Sequence, residues 1–167
     1  ETEQLVERVI ELSLYFSDKL SIVDLGTGSG AIAVALKTEL PKSSVSAVEF
    51  CDDALQVAKT NAQLNYCDIN FYKGSWLEPV TSDRFDIIVS NPPYVAEDDP
   101  HLKHGDLPFE PITALTARNR GFGAFETIIQ QSKKCLTPGG YLIFEHGFEQ
   151  GEELRNIFAN AGFERVR

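Results

Sequence analysis

The chain has 167 residues, is 43% hydrophobic and 24% charged, and carries a net charge of −10 from 25 acidic and 15 basic side chains. That composition excludes a disordered chain, and a domain of this length buries about two-thirds of its unfolded surface, so it needs no disulfide or metal staple. The negative balance argues against general binding to phosphate backbones, which relies on clustered Lys and Arg.

Cys51, Cys67 and Cys135 are odd in number and lack CxxC spacing. They predict small buried or half-buried thiols, no metal site and a reducing compartment. No apolar run approaches the roughly 18 residues that span a bilayer. The start, ETEQLVERVI, is acidic and helix-patterned, unlike a signal peptide. A cytoplasmic protein is therefore expected. The absence of methionine predicts that residue 1 is not a translation start.

Residues 4–16 set Leu5, Val9, Leu12 and Phe16 on one helical face. Residues 21–25 form a short apolar strand that leads into Asp24-Leu-Gly-Thr-Gly-Ser-Gly30. A helix over 31–39 stops before Pro41. Residues 45–50 read as a second strand, and Asp52 or Asp53 caps the next helix. Residues 69–72 are a third strand. Phe85 to Ser90 is apolar on both faces, the mark of a central parallel strand. Residues 95–123 are too long and too aperiodic for a simple connection and read as a loop with short helical pieces. A helix over 124–136 ends before Thr137-Pro-Gly-Gly140, a strand covers 141–145, a helix 149–160, and a strand start is expected at Phe163. Strands alternating with helices predict an α/β fold with a doubly wound, mostly parallel sheet.

Two motifs carry chemistry. In the first, Gly26, Gly28 and Gly30 allow a sharp turn and close approach to a ligand at a helix N-terminus. The spacing is GxGxG with an acid two residues ahead, not the dinucleotide GxGxxG. Asp24 suits a ligand with an amino group and little phosphate. Glu49 ends the second strand, where an acid accepts both hydroxyls of a ribose. Ser75 and Trp76, after the third strand, are placed to line an adenine pocket. Together with Thr27 and Asn91 these residues point to S-adenosylmethionine, with NAD as the alternative.

The second motif, Asn91-Pro92-Pro93-Tyr94, follows the central strand directly. Two prolines remove two donors and stiffen the chain, leaving carbonyls free to accept. Asn91 Oδ1 and the Pro92 carbonyl can take the two protons of a planar NH2 group, and Tyr94 can stack on it. Amides and aromatic amines are poor nucleophiles, so such a clamp works by orienting the nitrogen toward a methyl donor. Adenine N6 and a glutamine side chain both fit.

These residues resemble the class I methyltransferases, and more narrowly the release-factor glutamine methyltransferases (the HemK/PrmC family). The likeness runs from Glu1-Thr-Glu3 through DLGTGSGAIAVAL and NPPY to Phe109-Glu110-Pro111 with Ala114-Leu115, Pro138-Gly-Gly140, and Glu145-His-Gly147 with Gln150. It implies methylation of a glutamine side-chain nitrogen, in the GGQ motif of peptide chain release factors. Asn91, Pro92, Pro93 and Tyr94 would hold the glutamine, and Glu110 would help order the pocket wall. Glu49 stands where the family often has Asp, Ser75 where some members carry an acid, and His146 where an aliphatic residue is common. The resemblance further implies that residues 1–167 form the catalytic domain, without the family's N-terminal recognition domain and cut before its C-terminal hairpin. The sheet edge at 141–145 would then be open. A monomer is expected for the full-length protein, with a release factor as partner and no membrane or direct nucleic acid.

The competing function is adenine N6-methylation of nucleic acid. Glu97, Asp98, Asp99, Asp106 and Glu110 beside Lys103 make an acidic rim, a poor surface for phosphates. His101 and His104 have HxxH spacing but no third ligand, so no metal is expected.

Overall fold

In a computed structural model, residues 2–16, 19–96, 116–117 and 121–167 are described. They fall into two compact units, Glu1–Asn91 with Gln131–Glu145, and Pro92–Gln130 with His146–Arg167.

The first unit is built on a five-stranded sheet of β1 (Ser21–Leu25), β2 (Ser44–Glu49), β3 (Asn70–Lys73), β4 (Phe85–Ser90) and β7 (Leu136–Phe144). Their order across the sheet is β3-β2-β1-β4-β7. Every neighbouring pair is parallel. The central strand β1 and its neighbour β4 are mostly buried: in β1 four of five residues are buried and in β4 five of six. Burial on both faces is what a parallel strand between covered layers requires. The expected fold class holds.

Helices α1 (Thr2–Ser13), α2 (Ala31–Glu39) and α3 (Asp52–Leu64) supply the apolar stripes. Leu5, Val9 and Leu12 of α1 sit one turn apart and are buried. They join Leu20, Ile22, Ile32, Leu36, Ile87 and Val89 in one cluster. Ala33 of α2 and Ala62 of α3 meet Val45, Ala47 and Ile69 in a second. The small residues let these helices approach the sheet and each other closely. That proximity constrains Gly30, where α2 begins with φ +83°: a Cβ there would lie 3.0 Å from Ala58 Cβ.

The second unit contains a two-residue parallel ladder of β5 (Val95–Ala96) with β6 (Thr116–Ala117). It also contains the start of α4 (Gly123–Cys135), which ends in the first unit, and α5 (Gly151–Asn160). Most of the connection 95–123 lies outside the described residues, and with it the expected helical pieces, Glu97, Asp98, Asp99, His101, Lys103, His104, Asp106 and Glu110.

Four local expectations differ. Cys51, not Asp52 or Asp53, occupies the N-cap of α3 and makes no side-chain cap bond. The two aspartates instead fill the first turn, where a negative charge faces the positive end of the helix dipole. Strand β7 begins at Leu136 rather than 141, because Phe85 pairs with Leu136 and Ile87 with Tyr141. Thr137-Pro-Gly-Gly140 therefore bulges out opposite Asp86, whose Oδ1 accepts the Thr137 hydroxyl at 2.9 Å. No strand forms at Phe163, whose N–H donates to the Phe158 carbonyl at 3.1 Å. The two rings meet edge to face with centroids 5.3 Å apart, which turns the chain back onto α5. Of the thiols, Cys67 is half-buried and Cys135 buried as expected, but Cys51 is exposed.

Candidate functional site

The glycine loop joins β1 to α2 at the carboxyl end of the sheet, in the first unit. Asp24 is the penultimate residue of β1, and its side chain is fully buried. Thr27 Oγ1 donates to its Oδ2 at 2.5 Å, while Oδ1 is buried with no hydrogen-bond partner. Burial pushes this carboxyl from 3.8 up to about 7. The Thr27 hydroxyl and the Ala33 backbone N–H pull it down, and the nearby Glu49 charge pushes it up. A buried acceptor without a donor is expensive unless a ligand supplies one.

The loop backbone is occupied. The Val48 carbonyl accepts from Gly26 N–H at 2.9 Å and Thr27 N–H at 3.1 Å, and Gly30 N–H donates to the Thr27 carbonyl at 2.8 Å. Gly28 N–H donates to Glu49 Oε2 at 2.9 Å. Four of the five amides from Gly26 to Gly30 are thus committed. A pyrophosphate cradle needs such amides free, so the donor set disfavours a dinucleotide. What the site offers instead is acceptors. Glu49 Oε1 takes the Cys51 N–H at 2.9 Å, and each carboxylate oxygen keeps a second lone pair. An orphaned buried carboxylate and a tethered second one suit a cation and a diol without phosphate. S-Adenosylmethionine, with its ammonium and ribose hydroxyls as donors, fits this set of acceptors.

Trp76 follows β3 with φ +49°. Its ring covers the loop, since a Cβ on Gly26 would meet Trp76 Cζ3 at 3.2 Å. Ser75 is half-buried beside it, and its carbonyl accepts the Glu78 N–H at 3.0 Å. Asn91 follows β4 and is half-buried. Because Leu25 pairs with Ser90, β4 ends alongside the start of the glycine loop. The Ser90 hydroxyl donates to the Leu25 carbonyl at 2.7 Å, and the Ser90 carbonyl accepts Glu145 N–H at 3.1 Å. Asp24 is thus bonded to Thr27 and Glu49 to Gly28, Gly26 and Thr27 share the Val48 carbonyl, and the Trp76 ring lies beside Gly26. Asn91 enters through the strand that carries it.

Pro92, Pro93 and Tyr94 belong to the second unit. Pro92 is buried, Pro93 and Tyr94 half-buried. The Tyr94 carbonyl accepts Gln150 Nε2 at 3.0 Å.

Sequence reasoning missed three features of this site. Phe50, directly after Glu49, is 73% exposed. A large aromatic where the chain leaves a strand beside an acid was a usable signal. Ser90 reads as an ordinary strand residue, and only the register reveals its bond to Leu25. The role of the Val48 carbonyl is a backbone property with no signature. Among the described residues, no group of three His, Cys, Asp or Glu is arranged to hold a metal. None of their helices is long and apolar enough to cross a membrane.

The family model described as the methyltransferase small domain matches residues 3–105. The chain is 48% identical, over its whole length, to the release factor glutamine methyltransferase of Aliivibrio fischeri, covering 59% of that protein. It is 44% identical over 99% of its length to the Escherichia coli protein of the same name, covering 60% of it. The chain thus spans about 60% of the length of these relatives. Among solved structures, the ribosomal protein L11 methylase of Lactobacillus delbrueckii superposes with a TM-score of 0.70 at 27% identity, over 98% of this chain and 69% of that one. A Pyrococcus furiosus methyltransferase gives 0.70 at 18% identity, over 96% and 73%, a likeness of fold alone.

Proposed function

We propose, from the premise that the chain belongs to the methyltransferase small-domain family, that residues 1–167 are the catalytic domain of an S-adenosylmethionine-dependent protein methyltransferase. Its substrate is the side-chain amide nitrogen of a glutamine, in the GGQ motif of a peptide chain release factor. The observation that carries the reading is the acceptor-lined glycine loop, with Asp24 Oδ1 orphaned beneath it and four amides already committed. The names of the 48% and 44% identical relatives support the substrate.

When bound, S-adenosylmethionine supplies an electrophilic methyl group on a sulfonium. Asp24 would hold the ammonium end. Glu49 would accept the ribose hydroxyls while keeping the loop closed through Gly28 N–H. Ser75 and Trp76 would border the adenine, and Gly26 and Gly30 give the backbone its turns. Asn91 Oδ1 and the Pro92 carbonyl accept the two amide protons of the glutamine, and Pro93 keeps that carbonyl stiffly placed. Fixing both protons holds the NH2 plane and directs its lone pair at the donor methyl. Tyr94 stacks on the flat amide. No strong base is needed, because the amide nitrogen loses its proton readily once alkylated. Catalysis is positioning and electrostatics.

The test is methyl transfer by the full-length protein to a purified release factor, read by mass spectrometry of the peptide containing GGQ. One added methyl on the glutamine is expected. Label in tRNA, rRNA or DNA with an unmodified release factor would overturn the reading in favour of adenine methylation.

A further inference from the structure

We propose that Gln150 is a positioning residue for the amide clamp, acting through the backbone of Tyr94; this rests on the reading of Asn91-Pro92-Pro93-Tyr94 given above. Gln150 stands at the N-cap of α5. Its carboxamide is spent at both ends on backbone. Oε1 accepts Gly147 N–H at 3.0 Å, and Nε2 donates to the Tyr94 carbonyl at 3.0 Å, across 56 residues of sequence. Its own N–H donates to the Gly147 carbonyl at 3.0 Å. Gln150 therefore grips the 147–150 turn and ties that turn to the end of the clamp.

The surroundings are shaped to this bridge. Gly121 has φ +89°, and a Cβ on it would fall 2.3 Å from the Tyr94 carbonyl oxygen and 2.8 Å from Gln150 Nε2. Only glycine lets the chain pass there while that bond exists. On the other side, a Cβ on Gly147 would lie 3.1 Å from Gln150 Oε1 and 3.5 Å from Tyr94 Cδ2. The tyrosine ring thus rests against bare backbone while its carbonyl is held by the amide.

The need for such a tie follows from the prolines. Pro92 and Pro93 have no N–H, so these two residues cannot be pinned through backbone donors. The segment can be pinned through its carbonyls, and that takes a donor from elsewhere. Gln150 supplies one at the first residue after the prolines. The Gln150 side chain makes no cap bond to α5; a role in the preceding turn alone would use only Oε1 and Gly147. The donation from Nε2 is what links that turn to the clamp.

Gln150→Glu separates the two roles, because a carboxylate keeps the acceptor for Gly147 and loses the donor for Tyr94. The experiment uses the full-length protein. For Gln150→Glu and Gln150→Met we expect kcat on a GGQ-bearing release factor to fall about 100-fold, the cost of a misplacement of roughly 1 Å at a reacting group. The cofactor Kd should change less than about twofold, because the glycine loop's own hydrogen bonds are untouched. Backbone hydrogen exchange over residues 94–96 should speed up about tenfold, as loss of one ordinary hydrogen bond allows. Gly121→Ala crowds the same bond, its Cβ falling against both the Tyr94 carbonyl and Gln150 Nε2, and should give the same split if a Gln150 variant fails to fold. Near-normal kcat with unchanged exchange at 94–96 in Gln150→Glu overturns the proposal. The exchange measurement needs no turnover. It decides whether Gln150 holds Tyr94 even where the wild-type protein leaves glutamine unmethylated, a result that would count against the substrate reading instead.

Discussion

Asp24→Asn tests the glycine loop most directly. The wild-type carboxyl is fully buried and pushed from 3.8 to about 7, chiefly by burial. In the unfolded chain it ionises near its ordinary value. Between those two values the unfolded state has lost a proton that the folded state keeps, so raising the pH costs stability across that window and no further above it. A shift of about three units corresponds to about 4 kcal/mol in full, of which roughly 2–3 kcal/mol falls between pH 5 and pH 8. Asparagine keeps an acceptor for the Thr27 hydroxyl and removes the titration. Urea unfolding without cofactor at pH 5, 6, 7 and 8 should therefore show the variant gaining on wild type by about that amount as the pH rises. The same carboxyl should release nearly one proton when the cationic cofactor binds at pH 6, where it is mostly protonated in the free protein. Calorimetry in buffers of different ionisation enthalpy reads that proton, and the variant should release none. A stability difference independent of pH, together with equal proton release, would refute the assignment of a buried, ligand-facing carboxyl at this position.

Three further substitutions divide the site by function. Asn91→Ala should lower kcat on the release factor by about 100- to 1,000-fold, the range for one electrostatic donor or acceptor in a transition state, while calorimetry shows little change in cofactor affinity; near-normal turnover would remove Asn91 from the clamp. Glu49→Ala frees the amides of Gly28 and Cys51 and should weaken cofactor binding about 10- to 100-fold, as expected for charged hydrogen bonds, with kcat at saturation largely kept. An unchanged Kd would contradict the ribose assignment. Gly30→Ala combines a strained φ of +83° with a Cβ 3.0 Å from Ala58 Cβ and 3.1 Å from Ala58 Cα. Unfolding should show a loss of about 1–3 kcal/mol, and a neutral result would mean that α2 and α3 can part without cost.

The sheet was legible because its strands obey one rule. Residues 85–90 are apolar on both faces, as a central parallel strand needs, and 21–25 is a short β-branched run leading into the glycine loop. Helix α1 was legible because Leu5, Val9 and Leu12 repeat at helical spacing. Where expectation and structure part, a long-range partner decides. Thr137-Pro-Gly-Gly140 carries a strong turn signal, and it does leave the ladder. Yet Leu136 still pairs with Phe85 before it does so, and no local pattern contains Phe85. Phe163 has the residue type of a strand start. It packs on Phe158 instead, a choice set by the helix before it rather than by its own propensity.

The site divides along the same line. Glycines, acids at strand ends and paired prolines announce themselves, because each is a residue type forced by a backbone or a ligand. The residues that hold them in place do not. Ser90 looks like any small strand residue until register sets it beside Leu25. Val48 contributes a carbonyl, which every residue has. The distinction matters for the chemistry. A loop whose amides were free would read in sequence much as this one does, and would suit a phosphate. It is the pairing of β1 with β2 that brings Val48 under Gly26 and Thr27 and consumes those donors. On the function proposed above, a preference for a cation over a phosphate would therefore rest on strand register as much as on the glycine spacing itself.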